Sequence, residues 1–196
     1  MRRLLLPFVL IASALALTAC GGSSSNDESE IEAAIEASAK STNPADCKKV
    51  NTQKFVEQTT RTQGPEALKQ CEEEASEGNG VKSASASNIE VDGSKATADV
   101  GLNGGSLDGQ EVEVALIKEG KQWKLDKLTG FVSFDQKTAV EGFEKQFAEP
   151  GSKVSKSVAS CIVKAFEKAP QAKLEDALLS GSTEGFEELA GSCFKG

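Results

Sequence analysis

The chain has 196 residues, with 22 Lys and Arg against 30 Asp and Glu, one Trp, and neither His nor Tyr. An acidic chain with no basic block argues against nucleic-acid binding, and the lack of His removes the commonest general base and transition-metal ligand. Hydrophobic residues make up 38% of the chain, enough for one modest core or a core with a satellite module.

At the N-terminus, Arg2 and Arg3 precede an apolar stretch from Leu4 to Leu17. That stretch is too short to span a bilayer comfortably. It ends in Leu17-Thr18-Ala19-Cys20, followed by Gly21-Gly22. These residues resemble a bacterial lipoprotein signal peptide with its lipobox. The resemblance implies removal of residues 1–19 and lipidation of Cys20 as the new first residue. It also implies an extracytoplasmic domain held to the cell membrane, since two acyl chains meet the requirement for stable anchoring. Without residues 1–19 the chain carries 20 basic against 30 acidic side chains, which disfavours flat adhesion to anionic lipid. Residues 20–29 are small and polar and read as a flexible tether.

Four cysteines remain, Cys47, Cys71, Cys161 and Cys193. An even count in an exported chain reads as disulfides. Three pairings exist, and the positions favour the sequential one, Cys47 with Cys71 and Cys161 with Cys193, because most strand signal falls between Cys71 and Cys161. The spacing lacks the paired CxxC or His of a metal site, so neither a metal nor another cofactor is expected.

Periodicity organises the rest. Ile31, Ala34, Ile35 and Ala39 recur at helical spacing, with Asp27 and Glu30 in a capping arrangement. Asn43-Pro44 reads as a helix start, and residues 45–59 as one or two short helices with Cys47, Val50, Phe55 and Val56 as buried candidates. Gly64-Pro65 opens a helix that runs to Glu77 and stops at Gly78, with Ala67, Leu68, Cys71 and Ala75 on one face. The period then changes to two. Strands are expected over 81–91, 95–102, 110–119 and 122–133, with Asp92-Gly93 and Glu119-Gly120 as turns. Four strands joined by short turns make an antiparallel meander, and packing the earlier helices on one face gives an α+β domain over residues 30–134. Residues 135–153 read as a connector with helical character near Val140 to Phe147. Residues 154–196 read as a small helical module stapled by Cys161 and Cys193, with its docking left open.

Helices followed by a meander, with Trp123 early in the last strand, resemble the nuclear transport factor 2-like cone fold. The nearest resemblance is to small actinobacterial-type lipoproteins. Echoes lie at Cys47, Thr52, Phe55-Val56-Glu57 and Cys71-Glu72. Others are Val91-Asp92-Gly93-Ser94-Lys95-Ala96 and Gly120-Lys121-Gln122-Trp123-Lys124-Leu125-Asp126. The resemblance implies a cone-like pocket between helices and sheet. Trp123 and Leu125 are its candidate lining residues, although core packing is the plainer role for Trp123.

No motif carries chemistry outright. The acidic run Glu72-Glu73-Glu74 with Glu77 reads as a solvated helix face, and the glycine-rich 101–109 stretch lacks a P-loop Lys-Ser/Thr. Cone-fold enzymes use His, Asp or Tyr in the cavity, and two of those types are missing. Asp99 and Glu113 alternate with apolar neighbours toward the outside of the sheet. The expected function is therefore non-catalytic binding of an apolar small ligand or an envelope protein. The rival is a cone-fold envelope enzyme working through a buried carboxylate.

Overall fold

The computed structural model describes residues 25–78, 80–148, 152 and 154–194; Cys20 and the 1–19 segment lie outside them. Four helices come first, α1 (Ser25–Lys40), α2 (Asp46–Lys49), α3 (Gln53–Thr60) and α4 (Pro65–Glu77). The strands follow as β1 (Val81–Asp92), β2 (Lys95–Gly104), β3 (Glu111–Glu119) and β4 (Gln122–Ser133). The chain ends with α5 (Gln136–Ala148), α6 (Lys156–Lys168), α7 (Gln171–Leu179), α8 (Glu184–Ala190) and a 3-10 turn over Gly191–Phe194. The architecture is α+β.

The strands pair antiparallel in the order β1-β2-β3-β4. Gly93 and Gly120 sit in the two tight turns at φ of 60° and 65°, a backbone conformation that favours glycine over residues with a Cβ. Period-two alternation puts Ala96, Ala98 and Val100 of β2 on one face with Val112, Val114 and Leu116 of β3 and Trp123 and Leu125 of β4. Ile31, Ala34 and Ile35 of α1 cover that face, together with Val50 and Phe55. Asp99 and Glu113 are cross-strand partners on the other face. There Asn88 Nδ2 donates to Asp99 Oδ2 at 2.8 Å and Thr129 Oγ1 donates to Glu113. The outer edge of β4 is covered as well. Thr52 N–H donates to the Leu125 carbonyl and Leu125 N–H to the Val50 carbonyl, both at 2.9 Å, so Asn51 pairs with Leu125 in an isolated parallel bridge beside the four-stranded sheet.

Several expectations need correction. The tether expected over 20–29 is helical from Ser25, because α1 starts there. Asp27, expected ahead of the helix, lies in the first turn of α1, where its Oδ1 accepts from Trp123 Nε1 at 3.0 Å and from Lys118 Nζ. Pro44 lies in a turn ahead of α2 rather than inside the helix. Leu68 faces away from the sheet-facing core and lines a small depression with Val56 and Lys124 instead.

The connector expected over 135–153 contains α5, which belongs to the C-terminal module. Val140 and Phe143 of α5 share a second core with Ile162 and Phe166 of α6, Leu174 and Leu178 of α7, and Ala190. The rings of Phe143 and Phe186 meet Phe166 edge-on at centroid distances of 5.4 and 5.6 Å. Asp135 starts α5 by accepting the Thr138 N–H at 2.7 Å. Hydrogen bonds from Thr138, led by that backbone N–H, hold its carboxyl below the usual aspartate value.

The module docks on the α+β layer. Phe131 of β4 packs against both cores. Gln58 of α3 acts as a clasp: its Nε2 donates to the Leu128 and Leu179 carbonyls at 2.9 and 2.7 Å, and its Oε1 accepts the Leu128 N–H at 2.8 Å. Gln110, 1% exposed, similarly ties the loop before β3 to Asp135: Asp135 N–H donates to its Oε1 at 2.9 Å, and its Nε2 donates to the Asp135 carbonyl at 3.2 Å.

Both disulfides follow the sequential pairing. Cys47–Cys71 joins α2 to α4, and Cys161–Cys193 joins α6 to the 3-10 turn. Among the described residues no helix is long and apolar enough to cross a membrane.

Candidate functional site

Between the helix layer and the sheet lies a cavity of about 240 Å³. Its floor is made by Val100, Val112, Val114 and Leu125 of the sheet, with Leu102 and Leu128 toward one end. Its roof is Ile35 and Ala39 of α1, Phe55 of α3 and Ala75 of α4, and the Cys47–Cys71 bridge forms part of the wall. Small and β-branched side chains explain the gap. Ala39 and Ala75 carry no bulk beyond Cβ, and three of the four floor residues are Val.

The backbone contributes too. The β3–β4 pairing shifts register at Glu111/Val112, Glu113/Val114 and Ala115/Leu116, and β1–β2 shifts between Ser87 and Glu90, where Asn88 has φ of 48°. Bulges bend strands, and three of these shifts fall in the β3–β4 pair that carries Val112, Val114 and Leu125 of the cavity floor.

The lining offers a ligand few polar partners, because its polar side chains are already engaged. Ser38 Oγ donates to Asn51 Oδ1 at 2.7 Å. Thr59 Oγ1 donates to the Phe55 carbonyl at 3.0 Å. Such a pocket recognises by shape and apolar contact.

The inner cavity adjoins a second, outer chamber of about 530 Å³, and the two share Thr59, Glu74, Val81, Leu102, Leu107 and Leu128 as walls. The outer chamber sits where the module meets the sheet, bounded by Phe143 of α5 and Leu178 of α7. Its lining is more polar, with Gln58, Gln146, Glu77 and Arg61. Arg61 terminates α3 in the left-handed conformation, φ 56°, which is uncommon for a residue with a Cβ. Its guanidinium carbon lies 4.4 Å from the Phe186 ring centroid, and its Nη2 donates to the Leu178 carbonyl at 3.3 Å. Its Nε is buried without a hydrogen-bond partner. Burial lowers the Arg61 value below that of a free guanidinium, and the charge of Glu74 opposes the shift.

Of the two residues expected in the pocket, Leu125 lines the cavity. Trp123 does not: it is 2% exposed, packed in the core, with its N–H on Asp27 and Lys118 Nζ 5.3 Å from its ring centroid. The carboxylate on the inner lining is Glu74, an exposed residue of α4. Asp99 and Glu113 do not line the cavity. Among the described residues no group of three or more His, Cys, Asp or Glu could hold a metal ion.

Arg61 escaped sequence reasoning because it falls at a helix end, outside any periodic stripe. A signal for it exists in the composition. Arg2, Arg3 and Arg61 are the chain's arginines, so every other cationic side chain beyond residue 19 is Lys. No protein-family model matches the chain, and no curated protein or solved structure matches it.

Proposed function

We propose that the protein is an extracytoplasmic lipoprotein, anchored through lipid on Cys20, that binds an apolar small ligand without transforming it. The observation that carries the binding reading is the inner cavity, with its apolar walls and internally satisfied polar groups. Helices over a meander, with Trp123 beneath α1, also support kinship with the nuclear transport factor 2-like cone fold. The leader and lipobox at residues 1–20 support the anchor. An envelope protein remains the alternative partner, favoured if the cavity stays empty in every test. A cone-fold enzyme would need a buried carboxylate facing the cavity, and Glu74 is exposed there.

Thermal unfolding with a series of apolar compounds tests the binding reading. A ligand that binds only the folded state raises the melting temperature as its concentration rises. Ala75→Phe, which fills the roof, should abolish that rise, whereas Glu73→Gln on the exposed face of α4 should leave it intact. Equal rises in both variants would place the ligand elsewhere.

A further inference from the structure

The outer chamber adds a chemical constraint on the ligand. We infer that the ligand is a single-chain amphiphile with an anionic head, its chain in the inner cavity and its head on the Arg61 guanidinium in the outer chamber. This inference rests on the apolar-ligand reading and narrows it.

Three observations carry it. First, the two chambers have Thr59, Glu74, Val81, Leu102, Leu107 and Leu128 in common, so an elongated molecule passing between these side chains would occupy both. An inner volume of about 240 Å³ holds ~8 groups the size of a water molecule. That suits one medium-length hydrocarbon chain, not a two-chain lipid. Second, the guanidinium has five N–H donors. One of them has a protein acceptor, the Leu178 carbonyl, and Nε is buried with none. Nε is sealed from solvent, so the donors a head group meets in the chamber are those of the Nη atoms, and a carboxylate or phosphate oxygen is the acceptor that suits a guanidinium best. Third, Arg61 stands alone among lysines beyond residue 19, and planar, bidentate anion recognition is what Arg does and Lys does not.

Glu74 and Glu77 also border the chamber. Both are exposed on α4, where water and salt screen them. Neither forms an ion pair with Arg61 among the described residues, although the charge of Glu74 acts on it. They weaken the binding of any anionic head, and the Arg61 donors have to outweigh them. The stacking of Arg61 on Phe186 keeps the guanidinium plane in place before the head arrives, so little freedom is lost on binding.

Calorimetric titration of the whole protein with decanoate, decyl phosphate and 1-decanol, each below its micelle-forming concentration, tests the inference. At least one of the two anions should bind about tenfold or more tightly than the alcohol. The tighter of the two distinguishes a fatty-acid head from a phosphorylated one. Arg61→Gln should bring the anion down to the affinity of the alcohol, and Arg61→Lys should recover part of the difference. Wild-type protein that binds 1-decanol as tightly as both anions would overturn the role of Arg61 and leave the apolar reading standing. Binding of none of the three would overturn both. The wild-type comparison alone decides if Arg61→Gln fails to fold, because it varies the ligand and not the protein.

Discussion

Asp27 shows how a single side chain can fix the start of an element. It accepts from Trp123 Nε1 and Lys118 Nζ, which draws the first turn of α1 onto the sheet and explains why the helix begins before the residues with clear apolar spacing. The hydrogen bond that Lys118 donates to Asp27 also raises the Lys118 value above that of a free lysine, against the smaller opposing effect of burial. Asp27→Ala leaves the buried indole N–H without a partner and should destabilise the fold by about 1–3 kcal/mol. Denaturant unfolding followed by fluorescence of the single Trp measures it, and an unchanged midpoint would remove Asp27 from this role. Asp135 makes a pH-dependent contribution. Its folded-state value lies below its unfolded one, chiefly through the Thr138 N–H. Its stabilisation is therefore full above the ordinary aspartate range and is lost as pH falls through the lowered value. The melting-temperature gap between wild type and Asp135→Asn should be widest near neutral pH and close in acid. A gap that does not change with pH would contradict that assignment.

Among the elements, strands were the most legible. Asp92-Gly93 and Glu119-Gly120 punctuate runs of period two, and every core-facing residue from Ala96 to Leu125 follows that alternation. Helix α4 was equally legible because Gly64, Pro65 and Gly78 mark both its ends. Helix α5 was not. Its apolar positions Ala139, Val140, Phe143 and Phe147 form a stripe, but their partners lie on α6 and in the β2–β3 connection, and a lone chain segment gives no sign of either. Gly142 shows the closeness of that contact, since a Cβ there would stand 2.8 Å from the Ser106 carbonyl oxygen. The cavity was legible only in its apolar character. Its volume depends on how closely the helices approach the sheet, and no residue in the sequence announces that. The disulfides can be apportioned by element. With sequence separations of 24 and 32, the loop-closure model gives each about 3–4 kcal/mol. Cys47→Ser/Cys71→Ser should lower stability and also weaken ligand binding, because that bridge walls the cavity. Cys161→Ser/Cys193→Ser should lower stability while leaving the inner cavity intact. Equal loss of binding in both double variants would contradict this division.

For the molecule as a whole, the two cores are joined by Phe131, Gln58 and Gln110, and the outer chamber lies in that joint. The module therefore supplies walls for the outer chamber through Phe143 and Leu178. A ligand spanning both chambers would touch both cores and tighten their association. The proposed anchor and the cavity meet in one native particle, so one measurement addresses both. The protein is purified from its native membrane and examined by mass spectrometry, intact under non-denaturing conditions and then after denaturation. The expected result is a chain beginning at an acylated Cys20, carrying a bound amphiphile that is released on unfolding and is absent from Ala75→Phe. A chain with an unmodified Cys20, or native protein that carries no small molecule while Ala75→Phe behaves identically, would contradict the proposal of a lipid-anchored ligand-binding domain.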